Sequence, residues 1–128
     1  MNKVFILVFL ALFLVNNVYS GPGRGLFKGV KTYQVYVKRQ PVTGTRYSGH
    51  TSGYGTPKQN VAKRDYSHHK NKEGYEKARV VKSFDNLSDA RKYEQKLIDN
   101  FGGSRRSGGT SGNEINATRR PANEVKID

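Results

Sequence analysis

Polar and apolar side chains alternate along Thr32-Tyr33-Gln34-Val35-Tyr36-Val37-Lys38, so an extended chain there sets Tyr33, Val35 and Val37 on one face and Gln34, Tyr36 and Lys38 on the other. A half-buried strand is predicted. Gln40-Pro41-Val42-Thr43-Gly44 reads as a turn and Thr45 to Gly49 as the returning strand of a hairpin. His50 to Pro57, rich in Gly, Ser and Thr, reads as a loop. The pattern after it predicts a helix from Asn60, as N-cap, to Lys70, on which Arg64 and His68 share a face. Glu73-Gly74 breaks that helix, and Ala78 to Phe84 has the β-branched and aromatic content of a third strand. A second helix follows, with Ser88 as N-cap, Asp89 at its positive end, Ala90, Tyr93, Leu97 and Phe101 at helical spacing, and Gly102-Gly103 as its stop. Residues 102–112 form a Gly/Ser-rich loop carrying Arg105 and Arg106, and Asn113 to Asp128 shows little periodicity.

The apolar residues upstream follow another pattern. Lys3 precedes an unbroken apolar run from Val4 to Val15, and Val18-Tyr19-Ser20 offers cleavage positions before Gly21, so residues 1–20 read as a signal peptide and the protein as secreted. That run is shorter than the roughly 20 residues a spanning helix needs, and no long amphipathic stretch supports stable membrane association. Residues 21–30 read as a flexible Gly-rich lead-in to a single domain over 31–128.

Charge changes the picture most. The chain has 23 Lys and Arg against 10 Asp and Glu, a formal net charge of +13, and only Lys3 of these lies in the leader. Polyanions are the expected partners. The absence of cysteine removes disulfides, cysteine-zinc sites and thiol catalysis, while low aliphatic content predicts a thin core that tyrosine rings help to fill.

Tyr36 and Tyr47 on paired strands, Arg64 and His68 one helical turn apart, and Glu94 on the last helix form a set suited to phosphodiester chemistry. A carboxylate can hold a divalent cation, an Arg can neutralise charge developing on phosphate, and a Tyr or His can move the proton of water or leaving group. Each type also has a plain structural use. The tyrosines can be cross-strand neighbours, Arg64 a solvated charge, His68-His69 a surface pair, His50 a loop residue, and Glu94 a helix partner of Arg91.

The order and spacing of Tyr36, Tyr47-Ser48-Gly49, Lys63-Arg64, His68 and Glu94 resemble the GIY-YIG nuclease superfamily over roughly Thr32 to Gly103. The resemblance implies an α+β fold, a small three-stranded antiparallel sheet flanked by helices. It implies metal-dependent cleavage of DNA or RNA, with Tyr36 or Tyr47 orienting or deprotonating water, Arg64 contacting phosphate, and Glu94 holding Mg2+ or Mn2+. Lys63, Arg105 and Arg106 are expected phosphate contacts. The family's closing asparagine falls among Asn113, Asn116 and Asn123, with Asn116 favoured; Asn116-Ala117-Thr118 and Asn86-Leu87-Ser88 are also glycosylation acceptor sequences. Gln34-Val35-Tyr36 stands where the family has Gly-Ile-Tyr, and Ser48 stands for the middle isoleucine of the second motif. With an export leader, the chain also resembles secreted toxin nucleases, for which a dedicated inhibitor or immunity protein is a partner to consider. Two other readings stand beside it. One is a noncatalytic, secreted polyanion-binding protein; the other is a metal-independent ribonuclease using His68 or His69 with Arg64.

Overall fold

A computed structural model describes residues 29–118; the leader, residues 21–28 of the lead-in, and the chain from 119, Asn123 included, lie outside the described residues. The described part is α+β. Strands β1 (Thr32–Arg39), β2 (Arg46–Gly53) and β3 (Arg79–Phe84) form an antiparallel sheet in the order β2-β1-β3, and helices α1 (Pro57–Tyr66) and α2 (Leu87–Asn100) flank it. Among the described residues no helix is long and apolar enough to cross a membrane.

β1 is buried on both faces rather than half-buried, from Gln34 through Lys38. Its Val35 and Val37 face carries Tyr33, cross-strand from Phe84, whose ring packs 5.5 Å from Tyr93 of α2. Ala90 and Ile98 of α2 complete this apolar layer, and both are fully buried. The opposite face is polar and is covered by α1 and the segment after it. There the Asn60 amide donates to Gln34 Oε1 at 2.8 Å, while Gln34 Nε2 donates to Ser83 Oγ at 2.7 Å. Lys38, fully buried, pairs with Asp65 and donates to Asn71 Oδ1 at 2.7 Å. An unpartnered ammonium in that position would cost several kcal/mol. Asp65 answers it while also accepting the Ala78 N–H at 3.1 Å, which ties the entry to β3 to the same carboxylate.

Several boundaries differ from the sequence expectation, each for a local reason. β2 continues to Gly53 where a loop was predicted, because Gly49 and Gly53 leave room for the Tyr36 and Asn60 side chains that lie against them. Helix α1 starts at Pro57, with Thr56 and Gln59 forming a reciprocal capping box, so Asn60 is a buried residue of the helix and not its cap. The helix stops at Tyr66. His68 therefore lies beyond it and caps a 3-10 turn, His69–Glu73, which ends at Gly74 with φ 82°. Asn86, not Ser88, caps α2 by accepting the Asp89 N–H at 2.8 Å. The Gly/Ser loop has a defined path: Gly103 N–H donates to Ile98 O at 2.8 Å and Ser111 N–H to Gly103 O at 3.0 Å, with Ser104 and Ser111 buried.

Two stability outcomes follow from this packing. Burial alone would raise the Asp65 carboxyl, but the Lys38 ammonium and the Ala78 N–H outweigh it and hold the group below the ordinary carboxylate range. Its contribution is therefore complete above the unfolded value of about 4 and is lost as pH falls through the lower folded value. Asp65→Asn, which leaves the Lys38 charge without its counterion, is expected to lower unfolding free energy by about 3 kcal/mol in denaturant titrations at neutral pH, and to narrow that gap in acid. Ser48 presents the opposite case, since its hydroxyl is buried with no hydrogen-bond partner among the described residues. Ser48→Ala is expected to stabilise the chain by about 1 kcal/mol, read from the same titrations.

Candidate active site

The hairpin register pairs Tyr36 with Gly49 and Lys38 with Tyr47, so Tyr36 and Tyr47 are diagonal neighbours on the polar face of the sheet. Their ring centroids lie 6.4 Å apart. Tyr36 is 1% exposed and lies across Gly49, where a Cβ would fall 2.5 Å from its Oη and 2.6 Å from its Cζ. Only glycine admits the ring there. His68 stands edge-on to both tyrosines, at 5.6 Å from Tyr36 and 5.0 Å from Tyr47.

The His68 hydrogen bonds fix its tautomer. Nδ1 accepts the Lys70 N–H at 3.1 Å, and Nε2 lies 2.9 Å from Tyr36 Oη. Burial, aided by the positive charge of Arg64, lowers the ring to about 4, so it is neutral near pH 7. With Nδ1 acting as acceptor, the proton sits on Nε2 and is donated to Tyr36 Oη. The Tyr36 proton must then point elsewhere. The donors thus run from the Lys70 N–H to His68 and from His68 to Tyr36 Oη, beside the ring of Tyr47, which is only partly buried.

Both phenols remain protonated at neutral pH. Burial pushes Tyr36 far above the usual phenol value, with Tyr47 and Glu94 adding to the rise and Arg64 opposing it. Tyr47 rises by burial and Glu94, again against Arg64. These mutual effects put Arg64 and Glu94 within electrostatic reach of both hydroxyls. Glu94 comes from α2 on the other side of the sheet and approaches at β2, an edge strand, where His50 Nδ1 lies 2.7 Å from its Oε1. His50 shares the Val35 face through the register. The Glu94 side chain is 9% exposed, with one oxygen held by His50.

The fold thus brings Tyr36, Tyr47 and His68 into contact, with Arg64 and Glu94 within electrostatic reach of the tyrosines. Lys63 is exposed on α1 beside Arg64, and Arg105 and Arg106 are exposed on a 3-10 turn, Arg105–Ser107. Asn116 lies elsewhere, bonded to Gln95 at 3.1 Å and to Ser107 at 3.2 Å. Asn113 is the asparagine that touches the tyrosine strand: its amide donates to Ser48 O at 2.6 Å and its Oδ1 accepts the Ser48 N–H at 2.9 Å. It occupies the free edge of β2 between Tyr47 and Gly49. His50 was read as a loop residue because β2 was ended at Gly49; continuing the alternation would have set it on the helix-facing side.

Among the described residues no three His, Cys, Asp or Glu side chains cluster as a metal site. The donor set nonetheless fits Mg2+ or Mn2+, which are commonly held by one or two carboxylates together with water and substrate phosphate. Glu94 would supply the carboxylate, and His50, 2.7 Å from its Oε1, would orient it. Compared with known proteins, the chain matches no family model, no curated protein and no solved structure.

Gly49→Ala tests the central contact. The added methyl must displace the Tyr36 ring, and the expected result is a folded protein destabilised by about 1–3 kcal/mol. Its His68 and Tyr36 side-chain NMR resonances should shift more than those of the remote Phe84 and Tyr93 pair. Unchanged stability and resonances would mean that Tyr36 does not lie across Gly49.

Proposed function

We propose that the chain is a metal-dependent endonuclease of the GIY-YIG type, cleaving phosphodiester bonds of DNA or RNA. The observation that carries this reading is the contact of Tyr36, Tyr47 and His68, with the Arg64 guanidinium and the buried Glu94 carboxylate within electrostatic reach of both hydroxyls, inside a strongly basic chain. When bound at Glu94, Mg2+ or Mn2+ supplies Lewis-acid polarisation of the phosphoryl group. Tyr47, partly buried beside Tyr36, orients the attacking water or a phosphate oxygen through its hydroxyl. Arg64 neutralises charge as it develops on the phosphate. His68 is a positioning residue: both ring nitrogens are engaged, and its Nε2–H donates to Tyr36 Oη. Lys63, Arg105 and Arg106 supply contacts to the backbone of the polymer. Asn113 serves by holding β2 in place, and we assign no chemical role to Asn116. Secretion, a toxin or defence role, and an inhibitor or immunity partner belong to the same proposal and rest on the leader-like residues 1–20 and the basic charge.

The metal-independent ribonuclease reading is weakened by the state of His68, which is neutral, buried and hydrogen-bonded at both nitrogens. The noncatalytic polyanion-binding reading explains the charge but leaves the buried Glu94 and His50 pair without a purpose.

Incubation of the chain with plasmid, single-stranded DNA and RNA is expected to give cleavage of at least one of them in Mg2+ or Mn2+ and of none in chelator. Glu94→Gln should abolish turnover at limiting metal while most nucleic-acid binding remains. Arg64→Ala should lower the single-turnover rate by about 100-fold or more with a smaller change in affinity. His68→Gln should leave the pH-rate profile unchanged near the ordinary histidine value of about 6.5, because His68 is already neutral there. Cleavage that survives chelator and disappears in His68→Ala would overturn the metal reading. Binding with no cleavage of any substrate would leave the polyanion-binding account.

A further inference from the structure

His69 is the one ring of the aromatic cluster that the chemistry above does not use, and it is placed at the cluster's open side. Its imidazole stacks on His68, with centroids 4.6 Å apart and planes within 17°, and stands edge-on to Tyr47 at 5.7 Å. His68 is buried whereas His69 is exposed, so the stack covers one face of His69 and leaves the other to solvent. The 3-10 turn that starts at His69, capped by the His68 side chain and closed by Gly74, fixes the ring's backbone. Burial and the neighbouring charges of Lys70 and Arg64 lower its pKa, which favours the neutral ring over a cationic phosphate contact. What remains is a flat, neutral, preorganised π surface within one residue's reach of Tyr47.

We infer that the outer face of His69 is a stacking platform for a nucleobase next to the bond being cleaved, and that the substrate is therefore a single-stranded or locally unpaired nucleic acid. The face of a base is available for stacking only when it has left its own neighbours, as in single strands, loops, ends or flipped nucleotides. An intact duplex offers no such face. Arg64 beside the platform can hold the adjoining phosphate. The substrate assignment rests on the nuclease reading, while the platform itself can be tested by binding alone.

The experiment measures affinity of the full chain, in chelator, for a single-stranded oligonucleotide and for the blunt duplex of the same sequence, using wild type, His69→Ala and His69→Phe. Loss of a stacked base should weaken single-strand binding about tenfold in His69→Ala, with recovery in His69→Phe and little change for the duplex in either variant. A fluorescent purine analogue in the strand should be quenched by wild type and His69→Phe, and not by His69→Ala. Equal losses on strand and duplex, failure of His69→Phe to recover binding, or unchanged binding in His69→Ala would each overturn the platform. A platform that passes in a chain that cleaves nothing would refute the nuclease reading and leave this one standing.

Discussion

The structure depends on a buried polar face. Gln34, Tyr36 and Lys38 alternate along the central strand and point away from the apolar layer, and each is nearly or fully withdrawn from water. Burying a polar group without a partner costs a few kcal/mol, and burying an ammonium costs more. The chain meets this constraint with three partners spaced along one following segment: Asn60 for Gln34, His68 for Tyr36 and Asp65 for Lys38. These contacts set α1 and the turn after it in a single register against the sheet. A slip of either element would leave several buried groups unpaired at once.

That register also builds the candidate site. The middle contact of the three is the one between His68 and the Tyr36 hydroxyl, so the packing that stabilises the fold also orients Tyr36 beside Tyr47. Arg64, next to Asp65, lies within electrostatic reach of both hydroxyls. Glu94 belongs to the other layer, where His50 of the edge strand β2 bonds it, and acts on the tyrosines through its charge. The exposed backbone of that edge is occupied by Asn113, whose amide bonds Ser48 on both sides in the manner of a neighbouring strand. The loop from α2 to Asn113 is ordered, with Gly102 and Gly103 at φ 111° and 87° turning the chain back toward β2.

Much of this was legible in the residues. Alternation gave β1 its two faces, the glycine pair marked the end of α2, and Tyr36, Tyr47 and His68, chosen by order and spacing, lie in contact. The half-buried reading of β1 failed because polar side chains were taken as solvent-facing, although Gln34, Tyr36 and Lys38 each have a partner far along the chain. No local pattern reveals such pairs. Gly53 fell in the predicted loop and Gly49 at the end of the predicted strand, whereas both leave space for a side chain lying across a strand. The start of α1 could have been read from Thr56-Pro57 with Gln59, which is a capping-box sequence with proline at its preferred place. The placement of Asn113 at the free edge of β2 could not, since it turns on the path of the loop after α2.

The claim at the centre of the account is that the buried carboxylate of Glu94 holds a divalent cation beside the tyrosine pair when nucleic acid is bound. Paramagnetic relaxation by Mn2+, mapped on the backbone amides in the presence of a noncleavable phosphorothioate oligonucleotide, addresses it directly. The account predicts the strongest broadening at Glu94, Gly49 and His50, falling off along α2 toward Asn86, about 12 Å away. Broadening spread evenly over the acidic surface, or centred away from Glu94, would contradict it.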